Sequence, residues 1–174
     1  MLYDGGANIG ITSLIAAEDD IRNVLVVAIE PAPANYLSLV KNIALNGYGD
    51  RVFALPIGLG ASTDIACFNL TTLEPGGVMH SFGEILVTNL DKLRMPIAFH
   101  HCLRLKLDDL VNWNGLPFPW HIKIDVDGGE FDLLQGASRV LNDLRCCAAQ
   151  IEVVARYDHN QNFPRVSDFQ FARL

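Results

Sequence analysis

An unbroken apolar run, Val24-Leu25-Val26-Val27-Ala28-Ile29, ends in Glu30-Pro31 and follows a glycine-rich stretch, Asp4-Gly5-Gly6-Ala7-Asn8-Ile9-Gly10. A strand that is apolar at every position is buried on both faces, which calls for a parallel sheet covered by helices on either side. The stretch before it reads as a first strand at residues 2–4, a glycine turn, and a helix over 8–18. Gly6 and Gly10 leave out side chains where the chain must turn tightly and approach a ligand. Free N–H groups at the helix opening, around Ala7 and Asn8, point into that turn. Glu30 follows Gly10 by about 20 positions, the offset at which an acid reaches a pair of ribose hydroxyls, and Pro31 stiffens the tip.

Both dinucleotide and S-adenosylmethionine sites use a glycine turn of this kind. A pyrophosphate disfavours a carboxylate beside the turn, and Asp4 stands there at the end of the first strand. A carboxylate in that place suits a cationic amino group, such as the methionyl ammonium of S-adenosylmethionine. Charge matching therefore favours S-adenosylmethionine. The alternatives are an NAD-type oxidoreductase and a truncated, non-catalytic cofactor-binding or interaction domain. Asp4 can also serve the following helix as a cap.

The rest of the chain continues the alternation. Pro33 to Asn46 reads as a helix with Pro33 in its first turn and Asn46-Gly47 as its stop. Arg51 to Leu55 reads as a third strand. Residues 61–107 change character, with strand-like pieces at 65–70, 85–90 and 102–107 around a mobile substrate loop, Glu74-Pro75-Gly76-Gly77-Val78-Met79-His80-Ser81. A brief helix over 108–113, a strand over 121–126, an amphipathic helix over 130–142 and a strand over 148–154 follow, then a polar, weakly packed tail over 155–174. The sum is one α/β domain, Rossmann-like and doubly wound on a mainly parallel sheet. Ligands bind such sheets beyond the carboxyl ends of the strands. Asp4, Glu30, Gly58, Asp125 and Glu152 all fall on that rim.

Asp125 is placed to align the substrate, hold the methionyl amine or accept a proton. Glu130 starts a helix, where an acid complements the dipole, and is the second catalytic candidate. His80 is the candidate general base, because its pKa allows proton uptake near neutrality. Gly58 lets the backbone approach the adenine side, with Ser62-Thr63-Asp64 or the backbone serving the adenine amine. Asn35 reads as a surface residue, and Lys123, inside its strand, as the offset to one carboxylate. No metal is assigned, since helix starts and strand tips gather acids on their own.

Five motifs stand in one register: Asp4 to Gly10, Glu30 to Asn35, Asn42 to Asn46, Leu107-Asp108-Asp109-Leu110, and Lys123-Ile124-Asp125-Val126-Asp127-Gly128-Gly129-Glu130. Over about residues 1–154 their order resembles that of FkbM-type methyltransferases. Gly5 replaces the usual Val of that family, and Asp127 a frequent Glu. The resemblance implies a class I methyltransferase fold, S-adenosylmethionine as cofactor, and O-methylation of a sugar or other small natural-product hydroxyl. It also implies a leading segment before the first strand and a closing strand hairpin, both expected to be short or missing here. The sheet edge left open is expected to pair with a second copy.

Composition bounds the partners. The chain has 174 residues, half of them hydrophobic, 19% charged, with net charge −7. That balance supports a buried core and argues against a nucleic-acid backbone as partner. No apolar run approaches the roughly 18 residues of a bilayer span, and no basic segment leads an apolar one as in a signal peptide. Cys67, Cys102, Cys146 and Cys147 form no C-x-x-C pair and read as buried free thiols of a cytoplasmic protein.

Overall fold

The computed structural model describes residues 1–19, 22–83, 95–113 and 115–152. The expected strand at 85–90, the end of the last strand at 153–154 and the tail lie outside the described residues.

Five strands make the central sheet: β1 (Leu2–Gly5), β2 (Val26–Ile29), β3 (Val52–Leu55), β8 (His121–Ile124) and β9 (Ala148–Ile151). All pair in parallel, in the order β3-β2-β1-β8-β9. Strand β2 explains the two-sided burial. Val26 and Ala28 pack with Leu39 and Ile43 of α2 (Pro33–Asn46) and Ala17 of α1 (Ile11–Ala17). Val27 and Ile29 pack on the opposite face with Leu110 of α3 (Leu107–Leu110), Leu133 of α4 (Glu130–Gly136) and Val140 of α5 (Ser138–Leu141). The molecule is thus an α/β fold with helices on both faces of a parallel sheet, as the apolar run requires. The order changes direction at β1, which has β2 on one side and β8 on the other, and this opens the crevice used by ligands in such sheets.

The residues between β3 and α3 build a second sheet from β4 (Gly58–Leu59), β5 (Asp64–Leu70), β6 (Ser81–Phe82) and β7 (Ala98–Leu105). Its order is β4-β7-β5-β6, with β5 antiparallel to both neighbours.

Two helices differ from expectation for identifiable reasons. Helix α1 starts at Ile11, not at residue 8, because Asn8 and Gly10 take left-handed backbone angles, φ 52° and 96°. The predicted helix over 130–142 breaks at Ala137. Gly136 lies against the main chain of Gly60, and the freed N–H groups of Arg139 and Val140 donate to Asp108 of α3 at 3.0 and 2.9 Å. A side chain from another helix thus caps the second segment. The cysteines are free, but only Cys146 is buried and Cys147 is exposed.

Candidate functional site

Beyond the carboxyl ends of β1, β2 and β8 lies a cavity of about 510 Å³, bounded by the glycine turn, the Glu30-Pro31 tip, the 125–129 segment and the aromatic inner edge of the second sheet. Its size falls within the roughly 300–1,000 Å³ of small-molecule sites.

The turn forms because Gly6 takes φ 77°, and a Cβ there would lie 1.8 Å from the Asp125 carbonyl oxygen. Only glycine lets β1 pass that close to the end of β8. The Asn8 N–H, left out of the helix, donates to Glu30 Oε2 at 2.8 Å, and the Ala32 N–H donates to Oε1 at 2.8 Å. Each Glu30 oxygen is aimed by one backbone donor and keeps a lone pair for a ligand. Burial raises the Glu30 pKa, and those two N–H groups and Asn35 oppose the rise.

The 74–81 loop crosses this tip. Gly77 O accepts from Asn8 Nδ2 at 3.1 Å and from Asn35 Nδ2 at 3.0 Å, while the Gly76 N–H donates to Asn35 Oδ1 at 2.8 Å. The Met79 N–H donates to Asp127. A segment expected to be mobile is therefore tied down on both sides of the cavity. Asn35, expected at the surface, is 1% exposed and holds the loop to α2.

His80 is buried within that loop, and burial lowers its pKa. Its Nδ1 accepts from the Thr71 N–H at 3.2 Å, which leaves the proton of the neutral ring on Nε2. The ring is arranged as a donor, an arrangement that does not favour the expected base role.

Asp4 is fully buried. It accepts from Ser13 Oγ at 2.6 Å, and Lys123 Nζ lies 3.3 Å from its other oxygen. The same ammonium lies 3.0 Å from Asp125. Burial pulls the Lys123 pKa down, but Asp4 and Asp125 outweigh it and the net shift is upward. Burial also works against the Asp125 carboxylate, yet the hydrogen bond with Glu152 and the ammonium of Lys123 hold its pKa below the usual range. That same hydrogen bond, with the charge of Asp125 behind it, raises Glu152. Burial, with Asp125 and Glu130 adding to it, raises Asp127.

Residues 4–174 match the model of the family described as "Methyltransferase FkbM domain". The chain belongs to this family. Among solved structures it is similar to the methyltransferase FkbM from Methylobacillus flagellatus KT, with 21% identity and a TM-score of 0.49 over 80% of this chain and 29% of that one. The chain thus spans less than a third of that protein's length. No curated protein matches it.

In this FkbM domain the cavity brings together Gly6, Asn8, Glu30, Pro31, His80 and Asp125 from the residues singled out in the sequence. Asp4, Ala7, Gly10, Gly58 and Glu130 do not line it. Gly10 makes room for Leu39, whose Cδ1 would be 2.6 Å from a Cβ. Gly58 makes room for the Phe82 ring, 2.2 Å from a Cβ there, so the aromatic ring and not the Gly58 backbone faces the cavity. Glu130 accepts from the Gly128 N–H at 2.8 Å, as an acid at a helix start does. Ser62 and Asp64 bind Arg104, which itself lines the cavity with its guanidinium 5.4 Å from the Phe82 centroid. Phe68, Phe82, Arg104 and Asp132 escaped sequence reasoning. The piece at 65–70 read as a strand, but nothing local said which of its side chains met the cavity. Among the described residues no group of three His, Cys, Asp or Glu has the geometry of a metal site, and no helix is long and apolar enough to cross a membrane.

The donor set fits S-adenosylmethionine. A pre-aimed carboxylate suits a ribose diol, a second carboxylate held by Lys123 suits an ammonium, and the ring of Phe82 offers an apolar face.

Proposed function

We propose that this chain works as an S-adenosylmethionine-dependent methyltransferase acting on the hydroxyl of a small acceptor, such as a sugar or another natural product. The observation that carries the reading is the Glu30 carboxylate, oriented by the N–H groups of Asn8 and Ala32 in the crevice where the strand order reverses. Family membership supports methyl transfer as the reaction. The preference for oxygen rests on the resemblance to FkbM enzymes of sugar and natural-product pathways.

In this reading Glu30 takes the ribose hydroxyls and Asp125 the methionyl ammonium. When bound, S-adenosylmethionine supplies an electrophilic methyl group on a sulfonium that leaves readily. The chain's task is then alignment and proton removal. The Nε2–H of His80 orients an acceptor oxygen in the cavity. Asp127, whose pKa is raised by burial and then by the neighbouring charges of Asp125 and Glu130, is a better proton acceptor than an ordinary carboxylate. The tied 74–81 loop limits water at the reacting centre.

Calorimetric titration with S-adenosylhomocysteine tests this. Wild type is expected to bind, and Glu30→Ala to bind about 100-fold more weakly, the loss of two charge-assisted hydrogen bonds. Stabilisation by NADH and not by S-adenosylhomocysteine points instead to an oxidoreductase. Binding of neither ligand leaves a partner module.

A further inference from the structure

The central sheet carries a lysine where an apolar residue is expected. Lys123 sits in the middle of β8, between the buried Ile122 and Ile124, and pairs in register with Asp4 of β1. Its Nζ stands between two carboxylates, 3.3 Å from Asp4 and 3.0 Å from Asp125. Asp4 is fixed from the far side by Ser13 of α1 at 2.6 Å. The chain Ser13–Asp4–Lys123–Asp125 runs from behind the glycine turn to the cavity wall. It holds one cation and two acids, and only the outer acid, Asp125, lines the cavity. A buried charge is stable only when paired, so Asp4 accounts for the lysine, and the lysine then tethers Asp125.

On the reading of the donor site given above, we propose that Lys123 is a positioning residue: it counterbalances Asp4 and tethers Asp125, so that Asp125 alone meets the donor's ammonium group. Lys123 touches neither donor nor acceptor. The groups around Asp125 are otherwise acidic: Glu152 after β9, Asp127 and Glu130 at the start of α4, and Asp4 beyond the lysine. With the ammonium removed, only the hydrogen bond with Glu152 is left to favour the Asp125 anion against burial and the acids around it.

The test uses Lys123→Met and the double variant Asp4→Asn/Lys123→Met, which leaves no unpaired buried charge if the single variant unfolds. In the free protein, carbon-13 NMR follows the Asp125 carboxyl, assigned by its loss in Asp125→Asn. Its midpoint is expected to rise by about one pH unit or more in both variants. An unmoved midpoint overturns the proposal whatever the ligand results. At neutral pH the affinity for S-adenosylhomocysteine is expected to fall about tenfold or more, while that for 5′-methylthioadenosine, which lacks the amino-acid end, stays within about twofold. Equal losses for both ligands mean a structural role and overturn it. A wild type that binds neither ligand overturns the donor-site reading, and the titration still decides whether Lys123 governs Asp125.

Discussion

Tyr3 is 1% exposed on the α4 face of β1, and its hydroxyl donates to the Pro117 carbonyl at 3.1 Å. Burial pushes its pKa up to about 12 from 10. The unfolded chain therefore loses this proton first, and the stability tied to the neutral phenol is intact below pH 10 and lost as pH rises toward 12. An absorbance titration of the phenolate is expected to show a phase near pH 12 that disappears in Tyr3→Phe. Among site residues, Glu30 was legible because its place depends on a local offset from the glycine turn. The surroundings of Asp4 were not legible, for the opposite reason. Its partner Lys123 arrives by strand pairing across most of the chain, and no local pattern records which strands are neighbours. Arg104 and Phe82 were hidden in the same way, since the β5–β7 and β5–β6 registers bring them in.

At the scale of elements, helix α2 matched its expected span at both ends, because both signals are local. Pro33 occupies the first turn, and Gly47 takes φ 72° just past the last helical residue. The 130–142 segment did not match, because Asp108 reaches it from a separate helix. The glycine turn gives the prediction that belongs here. Gly6→Ala places a methyl group 1.8 Å from the Asp125 carbonyl at a positive φ. Strand β1 must then move away from the end of β8, at a cost of about 2 kcal/mol or more. Urea unfolding is expected to show that loss, and calorimetry a loss of S-adenosylhomocysteine binding.

For the whole molecule, the two apolar layers on either side of the sheet were foreseeable from the run at Val24–Ile29, whereas the second sheet was visible only as strand-like pieces. Leu133 is fully buried in the larger layer, with its Cδ1 near Gly5 of β1. Truncation in Leu133→Ala leaves a hole beneath the central strand and is expected to cost about 2–5 kcal/mol in urea unfolding, a large share of the roughly 5–15 kcal/mol that holds a domain together. Strand β1 also has a consequence in time. Leu2 pairs in register with His121, where strand β8 begins. Strand β1 must wait for the ribosome to deliver a stretch far downstream before the middle of the sheet can zip up. Until then, Asp4 has no lysine beside it, and the segment before β8 cannot finish the centre of the sheet.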